Sequence, residues 1–142
     1  MRRLVPLTAL VLAAVLAPAG RPADSATVTV HSSRFGRILF DGRGFVLYAF
    51  TKDPRGRSVC SGACAAAWPP DTVTGTPKAA AGVTATLLGT TRRPSGKLQV
   101  TYAGRPLYYY VGDRQPGQIL CQNVSEYGGL WLVARPNGTL VR

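Results

Sequence analysis

The residues best suited to chemistry occur twice in this chain, in a motif of the form Tyr-x-aromatic-x-x-Asp. The six motif residues are Tyr48, Phe50 and Asp53 in the first copy and Tyr108, Tyr110 and Asp113 in the second. An aromatic face beside a carboxylate can bind a sugar or a cationic ligand. A carboxylate that follows a strand and precedes a Pro/Gly turn can instead accept backbone N–H groups and fix that turn. We favour the structural role and keep ligand binding as the alternative.

Catalysis is a weaker interpretation of these residues. Asp53 and Asp113 are a pair of carboxylates, which can act as acid and base in hydrolysis. They occupy equivalent positions of a repeat, however, and equivalent environments do not separate two pKa values. A nucleophilic site would depend on His31, the one histidine in the sequence, and no phosphate-binding or dinucleotide-binding motif is present. We therefore predict that the protein is not an enzyme.

The motif belongs to a longer tandem duplication, in which residues 40–60 align with residues 101–121. The aligned pairs include Gly44 with Gly104, Leu47 with Leu107, and Cys60 with Cys121. A tryptophan follows each of these cysteines, at Trp68 and Trp131. The number of matched positions indicates duplication rather than coincidence.

Alternating apolar residues on either side of a Gly-containing turn predict a β-hairpin in each repeat. A strand before each hairpin makes a three-stranded meander, and residues 131–133 and 139–141 are expected to form a closing hairpin. Residues 61–68 are typical of one short helical turn, ended by Pro69 and Pro70. We predict an all-β fold of about eight short antiparallel strands in two pseudo-twofold-related repeats.

This pattern divides the chain into five segments. They are a signal peptide at 1–19, an N-terminal segment with the first strand at 20–34, repeat 1 at 35–70, a linker at 71–84, and repeat 2 with the closing hairpin at 85–142. Within the motif strands, apolar residues fall on both faces, which suits a sheet covered on both sides.

The first segment predicts export. Arg2 and Arg3 precede an apolar run that is too short to span a bilayer, and small residues at Ala17 and Ala19 provide a cleavage site. We expect cleavage after Ala19 and no stable membrane anchor afterwards. No cysteine lies near the cleavage site, so the lipid-acylation signal of bacterial lipoproteins is absent.

The charge balance is strongly basic, with 17 Lys and Arg against 6 Asp and Glu and a net charge of +11. Loss of Arg2 and Arg3 with the signal peptide lowers the net charge to +9. The expected partners are anionic cell-wall polymers or lipid head groups. Nucleic acid would match the charge equally well, but export and the lack of a recognised motif argue against it. Codon bias toward Arg is an alternative source of part of the charge.

Three cysteines, Cys60, Cys64 and Cys121, suggest a disulfide with one thiol left over in an exported chain. A bond between Cys60 and Cys64 would close a small loop, whereas a bond from either to Cys121 would join the repeats. The spacing matches neither a metal site nor a haem-attachment motif, so we predict no metal and no cofactor. An exported thiol or redox protein using these three cysteines is the alternative to a binding or structural module.

Together these residues resemble a known family. The two motif copies, the segment Cys60-Ser-Gly-Ala-Cys64, and residues 67–70 and 99–108 are similar to the secreted-repeat lipoprotein family of bacteria. The resemblance covers residues 35–142 and implies an exported envelope protein without an established activity. It favours the Cys60–Cys64 pairing, whereas the repeat equivalence favours a bond to Cys121. The absence of an acylated N-terminal cysteine implies free secretion or loose wall association.

The signal peptide carries the first testable prediction. The protein recovered from culture supernatant should begin at Gly20 and carry no lipid, because the n-region, the apolar run and the small residues at Ala17 and Ala19 are typical of a cleaved signal. Intact-mass spectrometry measures this directly. A retained Met1 or the added mass of an acyl chain would contradict it.

Overall fold

The computed structural model describes residues 27–142, which form antiparallel β-sheet with one short helix. The strands are β1 (Val28–Ser33), β2 (Gly36–Asp41), β3 (Tyr48–Phe50), β4 (Thr72–Val73), β5 (Leu88–Arg92), β6 (Leu98–Tyr102), β7 (Arg105–Tyr108), β8 (Val124–Glu126) and β9 (Gly129–Val133). Helix α1 spans Ala63–Ala67, and a single 3-10 turn spans Ala85–Leu87. The all-β prediction is confirmed, with a short helix inside the segment 61–68.

Repeat 1 begins with a hairpin of β1 and β2, which pair along their whole length. The chain then turns at Asp41, whose Oδ1 accepts the backbone N–H groups of Arg43 and Phe45 at 2.9 Å each. This carboxylate closes the turn that brings the chain back beside β2. A bridge between Phe40 and Val46 continues the meander toward β3.

Repeat 2 forms the equivalent meander from β5, β6 and β7. Strand β6 pairs with β5 along its whole length and with β7 near its C-terminal end. The turn into β7 contains Ala103 and Gly104, both at positive φ, of 50° and 75°. The short strand β4 pairs with the other end of β6, so the segment predicted as a linker contributes to the sheet.

The two repeats join at the motif strands. Strand β3 lies between β7 and β9, and Tyr48 is directly opposite Tyr108 in the antiparallel pair. The resulting sheet has the order β4-β6-β7-β3-β9-β8, with β5 also paired to β6. An antiparallel pair of equivalent strands at the centre is what a pseudo-twofold axis between the repeats requires.

The central strands are buried on both faces, as their sequence pattern predicts. Tyr48 and Tyr108 face a core that contains both tryptophans and the disulfide. Leu47 and Leu107 face a second core, built around Val28, Leu39, Val100, Tyr102 and Ala134. The motif strands therefore separate two apolar cores, and their alternating side chains contribute to both.

The C-terminal part differs from the predicted closing hairpin. Residues 139–141 make a single bridge, between Ala134 and Leu140, instead of a strand. Strand β8, which the sequence did not suggest, occupies the edge of β9 as far as Trp131. Only the end of β9 is therefore free to pair with the C-terminal segment, and Val141 donates there to the carbonyl of Val133 at 3.0 Å.

The predicted signal peptide at 1–19 lies outside the described residues. Between residues 27 and 142, no helix is long and apolar enough to cross a membrane. In the same part of the chain, no cluster of three or more His, Cys, Asp and Glu side chains is arranged to hold a metal ion.

Candidate functional site

The two motif tyrosines lie side by side at the centre of the molecule, and both are fully buried. Tyr48 Oη donates a hydrogen bond of 2.7 Å to Asp113 Oδ2, and Tyr108 Oη donates one of 2.6 Å to Asp53 Oδ2. Each tyrosine is therefore bound to the aspartate of the other motif copy, not to the aspartate five residues later in its own. The structure brings the predicted residues together as two crossed pairs.

The second oxygen of each aspartate closes a loop. We call residues 53–59 acid loop 1 and residues 113–120 acid loop 2. Asp53 Oδ1 accepts the N–H of Val59 at 2.8 Å, and Asp113 Oδ1 accepts the N–H of Leu120 at 2.9 Å. Each carboxylate thus links its own loop to a tyrosine of the other repeat, the arrangement expected of a turn-fixing aspartate.

The tip of each acid loop also contacts the other repeat. Gly56 N–H donates to the carbonyl of Gly104 at 2.7 Å, and Gly117 N–H donates to the carbonyl of Gly44 at 3.0 Å. These four glycines all have positive φ, the backbone conformation that glycine adopts without steric cost. The backbone hydrogen bonds therefore link the two repeats reciprocally, as the crossed Tyr–Asp pairs do.

The electrostatic environments of the two copies are similar, and they differ in that Arg93 lowers the pKa of Asp53 alone. Burial raises the pKa of both Asp53 and Asp113, and the hydrogen bond from the tyrosine opposes that shift in each. Burial, followed by the bond to the carboxylate, raises the pKa of both Tyr48 and Tyr108, which keeps the hydroxyls protonated as donors. The two carboxylates have no separation of roles of the kind that acid and base catalysis uses.

Four aromatic rings form a column beside these pairs. Phe50 stacks on Trp131 at 4.2 Å between ring centroids, Trp131 stacks on Trp68 at 4.0 Å, and Tyr110 lies tilted on Trp68 at 4.8 Å. The sequence suggests the tryptophans only through their matching positions after Cys60 and Cys121. The faces of the motif aromatics that a sugar would need are partly covered by these indole rings.

The tyrosines of the crossed pairs complete this aromatic cluster from the side. Tyr48 packs edge-on against Trp68 at 5.2 Å, and Tyr108 packs edge-on against Trp131 at 5.1 Å. Trp68 Nε1 donates to Glu126 Oε2 at 2.8 Å, which provides the polar partner that a buried indole needs. These edge-on pairs lie within one repeat each, whereas the stacked pairs of the column, Phe50 with Trp131 and Tyr110 with Trp68, cross between the repeats.

The disulfide joins Cys60 to Cys64, with a Cα–Cα distance of 5.3 Å, the pairing that the family resemblance favours. Cys64 lies in α1, and both half-cystines are buried. Cys121 is a free, half-buried thiol, and burial raises its pKa. Repeat 2 has Ser125 where a partner at the Cys60–Cys64 spacing would stand, which accounts for the odd number of cysteines.

A second polar cluster, which the sequence analysis missed, lies in the other core. Tyr109 Oη is 2.9 Å from Asp41 Oδ2 and 3.1 Å from Asp71 Oδ1. Both aspartates are 4% exposed, and Arg43 forms an ion pair with Asp41 at 3.0 Å. Asp71 Oδ2 has no hydrogen-bond partner in the described part of the chain. These residues are far apart in sequence and belong to no motif, so no pattern predicted their meeting.

The geometry indicates which of these two aspartates holds a proton. A tyrosine hydroxyl has one proton, so it can donate to only one carboxylate. Asp41 has the Arg43 guanidinium beside it and is the natural acceptor, whereas Asp71 can join the network as a neutral acid that donates to Tyr109. Burial accordingly raises the pKa of Asp71 to about 7.

The crossed pairs predict a specific pattern of energetic coupling. Tyr48→Phe and Asp113→Asn should each lower the free energy of unfolding by about 1–3 kcal/mol, because each leaves a buried polar group without its partner. Urea denaturation of the two single variants and the double variant should give a coupling energy of about 1 kcal/mol or more.

The matched control combines Tyr48→Phe with Asp53→Asn, which pairs a tyrosine with the aspartate of its own motif copy. This combination should be close to additive, because no hydrogen bond joins the two side chains in the crossed arrangement. The crossed hydrogen bonds would be contradicted if Tyr48→Phe were strongly coupled to Asp53→Asn and additive with Asp113→Asn.

The raised pKa of Asp71 predicts that the free energy of unfolding depends on pH. Its pKa lies at about 7 in the folded protein against an ordinary 3.8, so the folded state holds a proton that the unfolded chain releases between these values. The free energy of unfolding should therefore fall as pH rises from about 4 to about 7, by at most about 1.4 kcal/mol per pH unit from this group. Above that range, the contribution of Asp71 should not change further.

Asp71→Asn isolates this contribution, because its amide can donate to Tyr109 as the neutral acid does and does not titrate. The stability difference between the parent protein and this variant, measured by urea denaturation, should change in favour of the variant as pH rises from 4 to 7. A difference that stays constant over this range would show that Asp71 is ionised throughout.

Among known proteins, one family of repeat proteins matches the chain in two segments, in agreement with the duplication. A family model described as a secreted repeat of unknown function matches residues 29–71 and residues 89–135. Each matched segment contains one copy of the motif, and together the two segments cover most of the described sheet. No curated protein and no solved structure shows a significant match to the chain. The chain therefore belongs to this family of secreted tandem repeats, and it is an extracellular protein.

Proposed function

We propose that this protein is a non-enzymatic module of the bacterial envelope, held on anionic cell-wall polymers by its basic surface. The observation that carries the proposal is the segregation of charge between the interior and the outer surface. Acidic side chains are used in internal hydrogen bonds, while basic side chains extend into solvent. A surface of nearly one sign attracts a polymer of the opposite sign over a Debye length.

The acidic side chains of the described residues all have partners within the protein. Asp41 pairs with Arg43, Asp53 and Asp113 accept from Tyr108 and Tyr48, Asp71 contacts Tyr109, and Glu126 accepts from Trp68. The side chains of Asp41, Asp71 and Asp113 are buried, and Glu126 is the exposed acidic residue among the described ones. Little negative charge is therefore left to balance the outer surface.

The basic side chains are distributed around that surface. The exposed ones include Arg37, Lys52, Arg55, Arg57, Arg92, Lys97, Arg105 and Arg114. They belong to strands, turns and loops of both repeats, so the positive charge is spread over the chain and not concentrated in one segment. Such a distribution suits non-directional retention on a phosphate-bearing polymer rather than recognition of one defined shape.

A structural role for the motif supports the same proposal. The tyrosines of the crossed pairs are fully buried, and their hydroxyls are used in hydrogen bonds between the repeats. Burial raises the pKa of both carboxylates and a tyrosine donates to each, which supports the same structural role for the two. In this proposal the motif maintains the fold and the outer surface makes the contacts.

The thiol or redox alternative has less support. The Cys60–Cys64 disulfide is buried, with its cysteines 1% and 7% exposed, so reductants have little access to it. Burial raises the pKa of the Cys121 thiol, which lowers the fraction present as the reactive thiolate. A structural disulfide and an unreactive free thiol are consistent with an envelope module.

Salt sensitivity tests the proposal. Binding of the purified secreted protein to isolated cell walls should fall steeply between physiological ionic strength and 1 M salt, because the Debye length shortens from about 8 Å to about 3 Å. Replacing Arg57, Arg105 and Arg114 by Gln should weaken binding at physiological salt. These exposed side chains make no hydrogen bonds to other residues between 27 and 142, so stability should change little.

The matched control replaces the same three arginines by Lys, which retains the charge, and it should bind as the parent protein does. A second control uses walls from which phosphate polymers have been removed, and binding should be lost on them. Retention in 1 M salt combined with release by a free sugar would overturn the electrostatic proposal.

A further inference from the structure

The two repeats meet along two equivalent seams, each between a hairpin of one repeat and an acid loop of the other. Seam 1 joins the β1–β2 hairpin to acid loop 2, and seam 2 joins the β5–β6 hairpin to acid loop 1. An arginine of each hairpin donates across its seam. Arg34 Nη2 donates to the carbonyl of Ile119 at 2.6 Å, and Arg93 Nη2 donates to the carbonyl of Cys60, the residue directly after acid loop 1, at 2.7 Å.

One difference between the seams falls at an equivalent position. In seam 2, Thr91 Oγ1 donates to the carbonyl of Gly56 in acid loop 1 at 2.7 Å, which closes the seam. His31 is sixty residues earlier, and it pairs with Ile38 on β2 as Thr91 pairs with Gln99 on β6. The two residues therefore occupy the same place in their repeats.

His31 does not close seam 1 in the way that Thr91 closes seam 2. Its Nε2 lies 3.1 Å from Thr29 Oγ1 on its own strand, and its ring packs edge-on against Phe40 at 5.3 Å. Within residues 27–142, no hydrogen bond joins its side chain to acid loop 2. Seam 1 is consequently open where seam 2 is shut.

The open seam forms a groove of about 460 Å³, which we call the histidine groove. Its lining residues are His31, Ser32, Ser33, Arg34, Phe40, Gly44, Pro116, Gly117 and Ile119. Its volume falls within the range of small-molecule sites.

The chemistry of the histidine groove combines an apolar floor with a cationic, hydroxyl-bearing rim. Phe40 and Ile119 are buried and form part of the floor with Pro116. Arg34 is exposed and held by its bond to Ile119, so the remaining guanidinium donors are oriented and available to an anion. No carboxylate belongs to the lining, which leaves the local potential positive.

We propose that the histidine groove binds one phosphate-bearing saccharide unit of the wall polymer, and this proposal rests on the proposed function. The phosphate would pair with Arg34, and His31 would provide an imidazole contact beside it. The Ser32 hydroxyl would bond to a saccharide hydroxyl, and the apolar face of the saccharide would lie on Pro116. The groove thus adds a defined contact to an otherwise diffuse attraction.

Amide chemical-shift titration of the purified secreted protein tests this site, with glucose 1-phosphate as the probe. Saturable shifts should be confined to residues 31–34 and 116–119. Arg34→Gln should weaken binding at least tenfold. His31→Thr should do the same, because a threonine there can bond to acid loop 2 as Thr91 bonds to Gly56. Glucose alone should give no saturable shifts, and inorganic phosphate should bind at least several-fold more weakly.

The matched control is Arg37→Gln, which removes the same charge from an exposed position on β2 outside the groove. This variant should bind the probe within twofold of the parent protein. Three results would overturn the proposed binding site. They are equal losses of probe affinity in Arg34→Gln and Arg37→Gln, inorganic phosphate that binds as tightly as the probe, and chemical-shift changes outside residues 31–34 and 116–119. His31→Thr keeps the test decisive if loss of the Arg34–Ile119 bond destabilises the fold.

The two proposals fail in different ways. If the wall polymer binds only through diffuse charge, cell-wall binding stays salt-sensitive while glucose 1-phosphate gives no saturable shifts in any variant. If the protein is not a wall-binding module, the wall assay fails at physiological salt whatever the titration shows. If the histidine groove binds glucose 1-phosphate but the protein does not bind cell walls, the natural ligand is a free sugar phosphate. This result would overturn the proposal that the ligand belongs to the wall polymer.

Discussion

The hydrogen bond from a tyrosine of one repeat to an aspartate of the other is the interaction on which the rest of the structure depends. A buried carboxylate is costly unless donors surround it. Asp113 obtains one donor from Leu120 in its own loop and the other from Tyr48 across the repeat boundary. Neither repeat can satisfy its own aspartate in this way, so the two repeats need each other to fold.

The spacing of the motif follows from this exchange. Tyr48 lies within β3 and points into the shared core. Strand β3 ends at Phe50, and Asp53 lies three residues beyond that end. Because β3 and β7 run antiparallel with Tyr48 opposite Tyr108, the end of each strand lies beside the start of the other repeat's strand. The residues after each strand thus bring an aspartate to the partner's tyrosine, and the same geometry places Trp68 and Trp131 in contact.

Much of this architecture was predictable from the sequence, because alternation and duplication are local signals. The two-faced motif strands, the meanders and the short helix follow from them. The crossing of the pairs was not predictable, since it depends on the register between Tyr48 and Tyr108. Strand β8 was missed because its turn uses Tyr127 at a positive φ of 55°, where Asn or Gly is the usual signal. The meeting of Asp41 with Asp71 is a purely tertiary contact.

The two repeats are alike at the centre of the molecule and differ at the seams. The central contacts are reciprocal because each half supplies the other with a donor for a buried acceptor, and a change on one side leaves a group unsatisfied on the other. Positions at the seams have no such constraint. Thr91 closes seam 2 with a hydrogen bond, and His31, at the equivalent position, leaves seam 1 open. A duplicated fold held by its centre can thus acquire one distinct surface site while its two halves keep the same core.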